Sequence, residues 1–280
     1  VASARAPEPL YCDEQGTIPV AHYGEERLAL EREHLFRALP IPIGHVSEKP
    51  DARGMRTEER HGLVWGTHAP AIDVRAHLGE IDDEIAALGL DRCVVGERNV
   101  AEHPGNWKLP MEGFLESYHI RSLHRASVYP FFLDARAAVE RAGQHVRAAT
   151  ARRIAREQDV ESGAPLRELA TPSWTIFPCT TLIAHPDWTS LVVVEPRGAD
   201  RFAWTHLQLL PEAPRTDAAR AHFARSFALI QGGVFEAEDL RMAALIQAGL
   251  ASGANESLLF GRLESPALWF HESIARALQS

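Results

Sequence analysis

At 280 residues the chain can hold one large domain, or a medium domain with a small companion, and 45% apolar with 24% charged residues is an ordinary globular composition. The formal net charge is −9, from 29 basic and 38 acidic residues. That balance argues against non-specific nucleic-acid binding, which needs a basic face to displace counterions.

Residues 1–24 are rich in Pro, Gly and small polar residues and read as an extended arm; the opening VASARAPEPLYCDEQG lacks the apolar core of a signal peptide. Residues 25–39 (EERLALEREHLFRAL) set Leu28, Leu35 and Leu39 among charges, the pattern of a surface helix, and Pro40 and Pro42 stop it. After a polar stretch, HGLVWGTH reads as a short strand. Residues 72–88 mix acidic and apolar positions and predict one or two short helices ending at Gly89. CVVGERNVAEHPGNWKLPM alternates as a strand does before a turn at Pro104-Gly105, and residues 111–124 read as a helix that breaks near its end. From about 138 to 204 the pattern shifts to strands (HVRAATARRIA, WTIFPCTTLIAH, TSLVVVEP, RFAWTHLQLLP), separated by the turn signals HPDW and PRGAD. Helical periodicity returns at 216–231 and 236–250, and Ser265-Pro266 opens a last helix to Leu278. No run approaches the roughly 18 apolar residues of a membrane span. The sum is an α+β fold, an antiparallel sheet with helices packed on one side.

Cys12, Cys93 and Cys179 are far apart and form no C-x-x-C pair. So sparse a set suits a reducing cytoplasm and cannot build a four-thiolate cluster or a cysteine zinc knuckle. Metal chemistry must come from other side chains. In NWKLPMEGFLESYHIRSLH, running from Asn106, His119 and His124 lie five apart with Glu116 three before the first. Imidazole suits Fe, Zn, Cu and Ni alike. On an intact helix of 3.6 residues per turn, positions five apart diverge by about 140°, so both rings reach one ion only if the helix unwinds between them. Among 14 histidines such a pair is unremarkable by spacing alone. A later acidic cluster, Glu236, Glu238 and Asp239, opens the helix of LRMAALIQAGL; acids in a first turn suit the helix dipole and need no other reason. Two histidines and one carboxylate on one face are nevertheless the set that binds iron(II) in non-haem oxygenases.

The segment NWK-LPM-EGFLESYH-IRSL-H resembles the iron-site motif of Rieske non-haem iron oxygenase large subunits. EREHLF, GHVSE, ERHGLVW, FPCT and EDL…IQAGL are similar to that family's flanking segments, in the same order. The resemblance implies a helix-grip catalytic domain at residues 57–280, preceded by an arm and helix at 1–56. It implies Fe(II) held by His119, His124 and Asp239, with Glu238 as the carboxylate if the register slips by one. It places Glu116 where the family has the acid that bridges to a Rieske-cluster histidine. Two departures stand out. The C-x-H and C-x-x-H pairs that hold a [2Fe–2S] cluster are missing, as though removed between Gly54 and Met55, so no such cluster is expected in this chain. Gly113 stands where the family usually has Asn.

The implied activity is that of a terminal oxygenase component: hydroxylation, or N- or O-demethylation through hydroxylation, of a small aromatic or heterocyclic substrate with O2. Electrons would come from a separate Rieske ferredoxin or Rieske-containing reductase, in a trimer-based homo- or hetero-oligomer. The rival readings are an inactive ligand-binding or scaffold paralogue, and a zinc hydrolase on the same triad. Leu115, Phe177 and Phe235 are expected to line the pocket; Tyr118 and Trp107 are expected in the core.

Overall fold

The computed structural model describes residues 16–52, 54–156 and 164–279; Cys12 and most of the arm read at 1–24 lie outside the described residues. Strand β1 (Gly16–Pro19) precedes α1 (Glu25–Glu31), which widens into a π turn (Arg32–Phe36) and stops before Pro40. Three strands then form a small sheet in the order β2 (Ile41–His45), β4 (Leu63–Thr67), β3 (Arg56–Arg60). The β3–β4 turn is His61-Gly62, both with positive φ (52° and 77°), as a two-residue hairpin requires. A Cβ on Gly62 would lie 2.5 Å from the Asp91 amide nitrogen, so only glycine fits there. Helices α2 (Val74–Leu78) and α3 (Asp82–Ala87) follow, as the sequence predicts.

The main sheet has seven antiparallel strands in the order β5-β11-β10-β9-β8-β7-β6. They are β5 (Val94–Pro104), β6 (Phe132–Ala142), β7 (His145–Arg152), β8 (Ala170–Ile176), β9 (Thr180–Ala184), β10 (Thr189–Gly198) and β11 (Arg201–Leu210). Helices α4 (Lys108–Gly113) and α5 (His119–Ser122) fill the β5–β6 connection, and α6 (Leu166–Leu169) leads into β8. After β11 come α7 (Asp217–Ala228), a π-helical stretch (Leu229–Leu240) and α8 (Arg241–Ala251) without interruption; β12 (Ser257–Phe260) pairs with β1, and α9 (Ser265–Ala277) ends the chain. The class is the α+β antiparallel arrangement expected. Among the described residues no helix is long and apolar enough to cross a membrane.

Alternation along the strands separates the two faces of the sheet. Trp204 and His206 face the long helix: Trp204 Nε1 and His206 Nδ1 both donate to Gln231 Oε1, at 3.1 and 2.9 Å. Trp174 and Arg147, register partners on the opposite face, both reach Glu84 of α3. β2 and β4, from either side of residue 56, share the small sheet.

Buried histidines make the fold acid-sensitive. His145 accepts the Phe177 amide N–H at Nδ1 (3.0 Å) and donates from Nε2 to the His77 carbonyl (2.8 Å), so its ring is held neutral. Burial pulls His77 down to about 3 and His145 to about 4; His185 and His206 fall to about 3 and about 4 for the same reason. These rings stay neutral in the fold while the unfolded chain takes up protons below about pH 6.5. Their contribution is therefore complete above that pH and is lost as pH falls toward 4, at about 1.4 kcal/mol per pH unit for each ring. Urea midpoints measured at pH 7.5, 6 and 5 are expected to fall steeply, and His206→Asn should flatten the slope. A midpoint independent of pH over that range would contradict the account.

Candidate metal centre

The segment after β5 is shaped by where its polar groups are tied. Asn106 Nδ2 donates to the carbonyls of Tyr23 and Ala199, anchoring the start of α4. The chain then breaks at residues 114–118 and again after Ser122, so the expected helix over 111–124 is two short helices and His124 lies beyond the second. That second break lets two rings five positions apart face one point. His119 Nε2 and His124 Nε2 are 3.1 Å apart.

The carboxylates come from the long helix, and here the structure corrects the sequence reading. Glu236, Glu238 and Asp239 do not open a helix; Thr216 caps it far upstream by accepting the Ala219 amide N–H. They lie inside the π-helical stretch, where i→i+5 geometry turns successive residues through less than the α-helical angle. Neighbouring positions 238 and 239 therefore reach the same ring from opposite sides. Asp239 Oδ1 stands 3.2 Å from His124 Nε2 and 3.8 Å from His119 Nε2. Glu238 Oε2 stands 2.7 Å from His124 Nδ1 and also accepts from Ser127 Oγ at 2.6 Å. Glu116 does for His119 what Glu238 does for His124: its Oε1 is hydrogen-bonded to His119 Nδ1 and its Oε2 accepts the His119 amide N–H. Arg121, two residues beyond His119, pairs with Asp134 and not with Glu116.

With each Nδ1–H donated to a carboxylate, both Nε2 lone pairs point at the same space as Asp239 Oδ1. The three ligand atoms lie within 4.8 Å of one another. Metal–ligand bonds of about 2.1 Å at right angles would separate neighbouring ligand atoms by about 3.0 Å, so two of the three edges already match a facial two-histidine, one-carboxylate set. Burial opposes a charge on His124, but Asp239 and Glu238 outweigh it and raise its pKa above the ordinary histidine value. The site thus favours positive charge.

The triad opens on a cavity of about 840 Å3. Phe114, Trp204 and Phe235 wall it, with Phe235 edge-on to both other rings. Phe235 lines it as expected; Leu115 and Phe177 instead pack in the main core, because the break at 114 turns Phe114 inward toward the cavity in place of Leu115. Trp107 is fully buried, whereas Tyr118 is 42% exposed at the cavity edge rather than in the core. Gly113 also lines the cavity, and a Cβ there would meet no atom within 4 Å, so the position leaves room beside the triad.

The description ring hydroxylating alpha subunit (catalytic domain) matches residues 90–280. No curated protein matches the chain. The quaternary ammonium Rieske monooxygenase CntA in complex with an inhibitor is similar at a TM-score of 0.78 and 15% identity, over 94% of this chain and 95% of that one. CntA in complex with L-carnitine gives 0.76 and 15%, over 94% and 96%. Naphthalene 1,2-dioxygenase from Rhodococcus sp. bound to indole gives 0.72 and 14%, over 94% of each chain. Identities this low speak for the fold alone, but the family match spans most of the chain and contains both halves of the triad. The chain belongs to the ring-hydroxylating, Rieske-type oxygenase alpha-subunit family, whose catalytic domain it carries.

Proposed function

We propose that this chain is the terminal oxygenase component of a Rieske-type system, a mononuclear non-haem Fe(II) monooxygenase acting on a small organic substrate by hydroxylation or by demethylation through hydroxylation. The observation that carries this reading is the convergence of His119, His124 and Asp239 at the wall of a large, mainly apolar cavity. These three residues would hold the iron, which supplies the family's dioxygen chemistry when bound. Glu116 and Glu238 fix the tautomer and tilt of the two rings, and Phe114, Trp204 and Phe235 keep water from the substrate side. Glu116, touching His119 at the rim, is the contact through which an electron-donating partner would dock. The electron donor would be a separate Rieske ferredoxin or Rieske-containing reductase, whose cluster would be held by two thiolates and two imidazoles. Residues 57–280 would be the oxygenase unit and 1–56 the arm and helix that precede it. Sparse cysteines fit a cytoplasmic setting, and a trimer-based oligomer would bring the donor to Glu116.

The test is anaerobic reconstitution followed by turnover. The chain should take up about one iron and oxidise substrate only when a Rieske-cluster protein is added. Full turnover with a plain flavin reductase would overturn the proposal, and failure to take up iron would favour a scaffold role. Glu238→Ala should lower iron affinity roughly 10–100-fold by freeing the His124 ring, as competition with a chelator would show.

A further inference from the structure

The half of the cavity formed by β7, β8 and β9 is unlike the aromatic half beside the triad. Strand alternation sends Thr150 and Arg152 of β7 to the cavity side, and the register sets Thr150 opposite Thr171 and Ser173 opposite Ile183. Thr181, two residues before Ile183, is fully buried and lines the cavity with its hydroxyl unpartnered. The result is a patch of hydroxyls around one guanidinium.

The charges around the cavity do not balance at that patch. Glu112 accepts from Tyr23 and His271, Glu116 and Asp239 face the triad histidines, Asp187 pairs with His222, and Glu264 accepts the Gly261 amide N–H. Each described carboxylate lining the cavity therefore has a partner. Arg152 is the one lysine or arginine lining the cavity among the described residues, and no described residue accepts from its guanidinium or pairs with it. Burial lowers its pKa, and no described carboxylate opposes the shift. A partly buried guanidinium without an acceptor is costly unless a ligand supplies one, and its fork of donors matches a carboxylate.

We propose that the cavity selects substrates bearing a carboxylate, held by Arg152 with the hydroxyls of Thr150, Thr171 and Ser173, while the apolar body lies against the aromatic wall toward His119 and His124. This names the substrate class of the oxygenase proposed above and rests on that reading for the reaction, but not for the binding.

Calorimetric titration of the metal-free full chain tests it, since no metal is then present to take the carboxylate. The probes are 2-naphthoate, its amide, 2-methylnaphthalene and a naphthylmethyl trimethylammonium salt. The acid should bind roughly tenfold or more tighter than the amide, the change a charge-assisted pair gives. Arg152→Met should abolish that preference and leave 2-methylnaphthalene affinity unchanged, which also shows that the cavity is intact; Arg152→Lys should keep part of it. If Arg152→Met does not fold, Arg152→Gln takes its place. The proposal is overturned if the acid does not bind, if acid and amide bind alike, if the preference survives loss of the guanidinium, or if the cation binds best. A chain that prefers the acid yet takes up no iron would keep the carboxylate site and lose the oxygenase reading, and the converse result would do the reverse.

Discussion

Asp239→Ala is expected to abolish iron retention and substrate oxidation while leaving the fold intact. Among the described residues Asp239 supplies the one anionic atom facing both imidazoles, and its side chain is 24% exposed, so truncation strands no buried charge and stability should change by about 0.5 kcal/mol or less. The loss of affinity should exceed the roughly 10–100-fold that removing a supporting residue costs. His119→Ala should behave likewise. His124→Ala differs, because that ring is buried and Glu238 leans on it together with Ser127. Its removal should cost stability as well as metal. Metal content by mass spectrometry, thermal melts and turnover with a Rieske-cluster donor separate these outcomes. If Asp239→Ala kept its iron and Glu238→Ala lost it, the ligand role would pass to Glu238.

Much of this arrangement could be read before any coordinates. The apolar-rich segments TSLVVVEP and RFAWTHLQLLP mark β10 and β11, because both faces of these strands are buried over most of their length. The first half of β6, before the strand pattern that begins near residue 138, is not legible because it is interrupted: the register shifts between Phe132 and Ala137, and Ala135 adopts φ 46° there. The spacing of His119 and His124 raised the right question, whether the helix unwinds, and the break after Ser122 answers it. The carboxylate was less legible. Local rules assign acids before an apolar helical run to the dipole, and nothing in the residues announces a π stretch that projects two consecutive carboxylates onto one ring. Arg152 gave no signal at all, since an arginine in HVRAATARRIA is indistinguishable from a solvated edge residue until its neighbours across β8 and β9 are known.

Lys108→Met is expected to destabilise the protein by about 3–5 kcal/mol, although no metal ligand is touched. Lys108 Nζ donates to both oxygens of Glu31 at 2.8 Å, and Trp107 Nε1 donates to Glu31 Oε2 at 2.8 Å. Lys108 is 1% exposed and Glu31 not at all. Removing the ammonium leaves the carboxylate buried with one indole N–H and the Arg27 side chain at 3.7 Å, too little to replace water. The melting temperature should fall on the order of 10 °C. Because the deficit lies in the stranded charge rather than in packing, Lys108→Met combined with Glu31→Gln should recover a substantial part of it. The pair also ties α1 to α4, from which the chain runs straight into Glu116 and His119. The single variant should therefore hold iron less tightly at temperatures where it is still folded, and the double variant should regain part of that affinity. A Lys108→Met protein as stable as the parent would mean that water replaces the ammonium at Glu31, and that α1 does not brace the segment bearing the metal ligands.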